Sequence, residues 1–167
     1  MPTEEKIIST KFKHKGYFSM SGLYVMLYDM LITMGYTIKE DSYKQFEFSR
    51  IGKPNYLDIN WTATKEVDDF TKFTLTFRFF LTMWTRDKEI EKDGAKIKTD
   101  EGDPEITMGA KLTRDYEGKW ERNPFLSIFQ GLYYRYLYAD TYDNWCEKIR
   151  EELNEIMGET KRYIGMF

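Results

Sequence analysis

Residues 73–84 read Phe-Thr-Leu-Thr-Phe-Arg-Phe-Phe-Leu-Thr-Met-Trp, an alternation with a period of two. That period predicts a strand with one buried and one wet face. Phe73, Leu75, Phe77, Phe79, Leu81 and Met83 share the apolar side, and Thr74, Thr76, Arg78 and Thr82 the polar side. Phe80 and Trp84 break the rule. Two large aromatics on the wet face require a cover: another element, a ligand or a second chain.

Similar patterns place the other elements. Ile8, Thr10, Phe12 and His14 alternate with Lys11, Lys13 and Lys15, predicting a first strand with a basic edge, ended by Gly16. Leu23, Met26, Leu27, Met30, Leu31 and Met34 recur at helical spacing between Ser19 or Ser21 as N-cap and Gly35 as C-terminal stop. Phe46 and Phe48 mark a second strand. The turn Arg50-Ile-Gly-Lys-Pro54 leads to a third, in which Leu57, Ile59, Trp61 and Ala63 oppose Asp58, Asn60 and Thr62. Between residues 86 and 105 there are five basic and eight acidic residues around Lys92-Asp-Gly-Ala95, which predicts a protruding, solvated hairpin. Ile106, Met108, Ala110 and Leu112 then alternate along a last strand that closes at Tyr116-Glu-Gly-Lys-Trp120.

Asn123-Pro124 reads as an N-cap followed by proline at the first helical position, and helical spacing runs on to about Met157, with Gly158 beyond it. An unbroken helix of about 34 residues would measure roughly 50 Å, against about 40 Å for a compact body of this size. It must project or break, and Ala139-Asp140-Thr141 is the expected break, with Asp140 capping a second helix. The two halves differ. Phe125 to Tyr138 is apolar or aromatic in nearly every direction, as expected of a helix buried by the sheet. Tyr142, Trp145, Ile149, Leu153 and Ile156 make a narrow stripe, as expected of a seam against a partner.

The sum is a single α+β domain over residues 1–167: a curved antiparallel sheet of about six to seven strands, with an N-terminal helix and a long C-terminal helix packed on it. With 25 basic and 28 acidic residues the net charge is −3, which argues against a dedicated nucleic-acid protein. No apolar run approaches the roughly 18 residues of a membrane span, and Met-Pro-Thr-Glu-Glu-Lys lacks the features of a secretion signal, so the expected location is cytoplasmic. A lone Cys146 fits a reducing compartment.

Catalytic chemistry finds little to work with. His14 is the only histidine, and nothing in the sequence arranges it beside a nucleophile. One His and one Cys do not make a usual zinc site, and Asp100-Glu-Gly-Asp-Pro-Glu105 lacks the ligand spacing of a calcium loop. Asp68-Asp69 and Asp140 with Asp143 read as a turn and a cap, and no glycine-rich phosphate loop is present. No catalytic, metal or cofactor-binding residue is therefore assigned, and the reading is non-enzymatic. Lys11, Lys13 and Lys15 around Phe12 and His14 could track phosphates, but lysines on an edge strand also discourage aggregation, and that reading is the stronger.

What remains is an inventory of 13 Tyr, 12 Phe, 4 Trp and 9 Met, concentrated at Tyr133, Tyr134, Tyr136, Tyr138 and Tyr142. Tyrosines gather where one end is apolar and the other wet, which describes a subunit interface or the wall of an amphipathic cavity. The leading expectation is a self-assembling or protein-interaction protein whose interface is Phe80, Trp84, Tyr142, Trp145, Ile149, Leu153 and Ile156. The alternative is a carrier or sensor of a hydrophobic small molecule, held between Phe73, Phe77 and Phe79 on the sheet and Tyr133 and Tyr136 on the helix.

The segments Tyr56-Leu-Asp-Ile-Asn-Trp-Thr-Ala, Lys92-Asp-Gly-Ala-Lys-Ile-Lys and Asp115-Tyr-Glu-Gly-Lys-Trp-Glu resemble a group of small archaeal proteins of unassigned function. The resemblance covers most of the chain and carries no activity to transfer. The order strand, helix, antiparallel strands and long last helix also resembles the helix-grip arrangement, which implies a sheet wrapped around the final helix. The chain departs from it in having one long helix where that arrangement has two short ones.

Overall fold

A computed structural model describes residues 2–46, 55–120 and 122–167. The expected turn at residues 50–54 and Phe48 lie outside the described residues. The chain runs β1 (Thr3–Lys13), β2 (Gly16–Phe18), α1 (Met20–Thr33), β3 (Thr37–Phe46), β4 (Tyr56–Glu66), β5 (Thr71–Lys92), β6 (Ala95–Arg114), α2 (Pro124–Leu132), a π-helical turn (Tyr133–Leu137) and α3 (Ala139–Ile164). It is an α+β fold. The six strands form one antiparallel sheet in the order β1-β6-β5-β4-β3, with β2 pairing the far part of β6.

The period-two residues do what their pattern predicts. Facing residues of antiparallel neighbours share a side, and the register sets Phe73 against Leu112, Phe77 between Trp61 and Met108, and Phe79 between Ile59 and Ile106. All of these are fully or almost fully buried. Each such side chain contributes about 1.5–3 kcal/mol through burial. Leu23, Leu27 and Leu31 of α1 and Ile149, Leu153 and Ile156 of α3 belong to the same core, so both helices cover one face of the sheet. Ser19 caps α1 by accepting from the Gly22 N–H at 3.2 Å, and Gly35 ends it at φ 89°.

Hairpin β5–β6 is longer than expected. Asp93 and Gly94 both take positive φ, the geometry of a two-residue turn that matches strand twist. From there β6 runs without interruption through Pro104 to Arg114, rather than restarting after the proline.

Trp84 corrects the reading of its strand. The register slips between Thr82 and Thr85, and Met83 takes the left-handed conformation at φ 56°. That bulge inserts one residue and inverts the alternation. Trp84 therefore turns into the core at 4% exposure, while Met83, expected inside, is 64% exposed. Phe80 stays on the outer face, where the chain itself half-covers it: the Arg78 guanidinium lies 5.0 Å above its ring and the Tyr56 ring 6.5 Å away. Gly102 makes the bulge fit, since a Cβ there would meet the Thr82 carbonyl oxygen at 3.2 Å and the Trp84 Cα at 3.3 Å. Gly102→Ala is accordingly expected to lower stability by about 1–3 kcal/mol, and Met83→Gly to raise it by about 1 kcal/mol by removing the left-handed penalty. Urea unfolding of the two variants checks both signs.

The last helix breaks, but not by the expected device. The interruption is a π-helical turn ending at Tyr138, which has no side-chain cap; Asp140 lies within the first turn of α3 instead of capping it. Aromatic packing holds the turn. Phe70 meets Trp120, Tyr133, Tyr134 and Tyr138 at centroid distances of 6.2, 5.8, 5.6 and 5.1 Å, and the Tyr138 hydroxyl pairs with that of Thr71. Beyond the break α3 runs to Ile164, past the stop expected at Gly158, because Thr160 and Ile164 continue its buried stripe.

Candidate functional site

The two halves of the C-terminal helical region exchange the roles expected of them. The stripe read as an exposed seam is core: Ile149, Leu153 and Ile156 are 0% exposed. Tyr142 and Trp145 are half-buried and pack against the same cluster. Trp145 stands edge-on to Phe73 at 5.7 Å and donates its indole N–H to Asp68 Oδ2 at 3.1 Å. The Tyr142 hydroxyl donates to Glu5, and burial followed by that bond pushes its pKa upward. Of the seven residues expected at an interface, four are therefore internal, Trp84, Ile149, Leu153 and Ile156. The reason is geometric: a sheet face that curls over a helix needs only a narrow stripe, the same signature that a partner helix would leave.

The carrier site also comes apart. Phe73, Phe77 and Phe79 are packed beneath α1 and α3, with Phe77 and Phe79 against the Trp61 ring at 6.4 and 5.0 Å. Tyr133 belongs to the Phe70 cluster, and Tyr136 is 69% exposed. The two sets do not face one another.

The half read as buried is the exposed one. No residue of α2 is buried. Phe125, Ile128 and Leu137 are each more than 70% exposed, and Phe129 and Leu132 more than half. Its sequence forms a good local helix: Asn123 Oδ1 accepts from the Phe125 N–H at 3.0 Å, and Pro124 occupies the first turn. Hydrophobic surface of this kind costs free energy in water, about 25 cal/mol for each Å², and contiguous patches of it mark contact sites. Beside the ridge runs an apolar groove of about 400 Å³ walled by Trp120, Leu126, Phe129, Tyr133, Tyr136 and Leu137. Ridge and groove are thus parts of one surface, joined to the sheet through the packing of Phe70 against Trp120, Tyr133 and Tyr134. Between Pro124 and Leu132 there is no charged side chain.

No protein-family model and no curated protein matches the chain.

Most other groups of chemical interest are buried or held by structural partners. Cys146 is buried, and desolvation raises its thiol pKa, which disfavours the reactive thiolate. Asp68 Oδ1 accepts from the N–H groups of Phe70 and Thr71, closing the turn into β5. Lys11 and Lys13 both pair with Glu105, which lies across the ladder from Lys13. Those two bridges hold the Glu105 carboxyl below its usual range, and they leave less positive charge free on this strand for phosphates. His14 Nε2 is buried and has no hydrogen-bond partner among the described residues. Among the described residues no three His, Cys, Asp or Glu side chains are grouped as they would be around a metal ion, and no helix is long and apolar enough to cross a membrane.

The signal for α2 was visible in the sequence as apolar residues in every direction. A helix of that composition is either buried on all sides or is a contact surface, and periodicity does not separate the two.

Proposed function

We propose that the protein acts by association through α2 and the π-turn, and that the partner is a second copy of the same chain. The observation that carries this is the exposure of Phe125, Ile128, Phe129 and Leu132 on a helix that contributes nothing to the core, continued by Leu137 in the π-turn. A ridge and an adjoining apolar groove on one surface suit a two-fold contact, in which the same patch serves both subunits. The lack of charge on α2 favours this choice twice over. Identical helices meet without repulsion, and the basic polar face that typifies helices lying on lipid surfaces is missing. A net charge of −3 also opposes attraction to anionic lipid. The activity proposed is self-assembly without catalysis, through residues other than the Tyr142–Ile156 seam.

Light scattering coupled to size exclusion is expected to give twice the 20.1 kDa of one chain. Phe125→Asp with Phe129→Asp should return the single-chain mass with unchanged far-UV circular dichroism, since exposed positions change stability by only about 0.5 kcal/mol. A wild-type monomer at high concentration overturns the proposal. So does co-sedimentation with phosphatidylglycerol vesicles in place of self-association, because the apolar helix would then serve a lipid surface.

A further inference from the structure

A second feature lies at the other end of the molecule, between the first turns of α1 and the far part of the sheet. A cleft of about 580 Å³ opens there, lined among others by Val25, Leu57, Trp84, Arg86, Asp87 and Asp100. This volume lies within the range of small-molecule sites, about 300–1,000 Å³.

Three observations say that the cleft is built rather than left over. First, β5 bulges twice in succession, between Thr82 and Thr85 and again between Thr85 and Lys88, and each bulge holds a non-glycine residue in the left-handed region, Met83 at φ 56° and Asp87 at φ 51°. That conformation costs about 1–2 kcal/mol for Met83, and consecutive bulges re-aim the side chains between them. Without the first, Trp84 would point to the opposite face. Second, Trp84 is 4% exposed, yet its indole N–H has no acceptor among the described residues. An unmet buried donor costs about 1–3 kcal/mol, which an acceptor supplied by a ligand would recover. Third, the cleft joins apolar wall to charge. Val25 and Leu57 are hydrophobic, the Arg86 guanidinium lies 4.8 Å above the Trp84 ring, and among the described residues lining the cleft Asp87 and Asp100 set two carboxylates against that one cation. Asp100 is held in place, with Oδ2 accepting from the Met20 N–H at 2.9 Å. Glu40 adds a third carboxylate close by, bonded to the hydroxyl of Tyr24 in the cleft wall at 2.8 Å.

We propose that this cleft binds a small arylalkylamine bearing an adjacent hydroxyl or carbonyl oxygen. The ring rests on Val25, Leu57 and the indole, the protonated amine is drawn by Asp87 and Asp100, and the oxygen accepts from the Trp84 N–H. This site shares no residue with α2, so it stands or falls independently of self-association.

The test uses the full chain, 2-amino-1-phenylethanol as probe, and 3-phenylpropionate as its anionic counterpart. In ¹H–¹⁵N spectra the Trp84 indole resonance, identified by its absence in Trp84→Phe, is expected to move with the amine and to stay still with the carboxylate. Asp87→Asn and Asp100→Asn should each weaken binding about tenfold by calorimetry. Both keep the fold: asparagine tolerates the left-handed region, and its carboxamide oxygen at position 100 still accepts from Met20. No movement of the resonance at about 10 mM amine, equal movement with the carboxylate, or wild-type affinity in both Asn variants would overturn the proposal.

Discussion

Ile149→Asp is expected to yield no folded protein, whereas Asp at Phe129 leaves the fold intact. Ile149 is fully buried on the stripe of α3 that meets the sheet. The substitution removes about 2–3 kcal/mol of burial and places a carboxylate among apolar side chains, at a further cost of several kcal/mol. A domain of this kind has a total stability of about 5–15 kcal/mol, so the loss consumes most or all of it. Far-UV circular dichroism and soluble yield read the outcome. Phe129 is 56% exposed and faces solvent, and there the same substitution changes oligomeric mass instead. The pair tests the exchange of roles between the two helical halves. A folded, monomeric Ile149→Asp protein would restore α3 as the interface and remove α2 from that role.

Glu152→Ala carries the second large effect. Glu152 on α3 accepts from Lys65 Nζ at 2.7 Å and from the Tyr36 hydroxyl at 2.5 Å, and Lys65 also donates to the Met34 carbonyl at 3.2 Å. Lys65 and Glu152 side chains are only 16% and 13% exposed, and the ammonium lies 4.6 Å above the Tyr36 ring. The network ties the end of α1, the start of β3, β4 and α3 together at one point. Removing the carboxylate strands a cation and a hydroxyl in a mostly dry site, at a cost of about 3 kcal/mol and a fall in Tm of about 6–12 °C. Glu152→Gln keeps an acceptor for Tyr36 and should lose less. Converting both charges, Lys65→Met with Glu152→Leu, should recover most of the loss; a double mutant as unstable as the single would show that the charges themselves are needed. Burial first, and then the bond to Glu152, raise the Tyr36 pKa above that of free tyrosine. Since the unfolded chain releases that proton near pH 10, the contribution is complete below that pH and is lost as pH rises above it. Tyr36→Phe should flatten the alkaline limb of a stability profile.

The elements that the chain's periodicity predicts correctly are those in which one segment carries its own answer. Leu23, Leu27 and Leu31 need only a 3.6-residue repeat and the Ser19 cap to define α1, and Leu57, Ile59, Trp61 and Ala63 need only alternation to define the buried face of β4. Asp93-Gly94 announces its turn through local backbone chemistry. The candidate sites were less legible. Phe80 and Trp84 stood out together, yet one is half-covered on the outer face by Arg78 and Tyr56 and the other is core. What separates them is a bulge whose fit depends on Gly102, which is close in space and remote along the chain.

Composition and periodicity alone thus determine an α+β chain, its strands and helices, and an excess of aromatic residues near its C-terminal end. Tertiary contacts decided which of those residues are inside. Alternation and helical repeats report that a face is apolar, and burial, a partner and a ligand all satisfy that equally. Packing settles it: α1 and α3 supply the residues that cover the inner face of the sheet, and α2, no less apolar, lies outside the core.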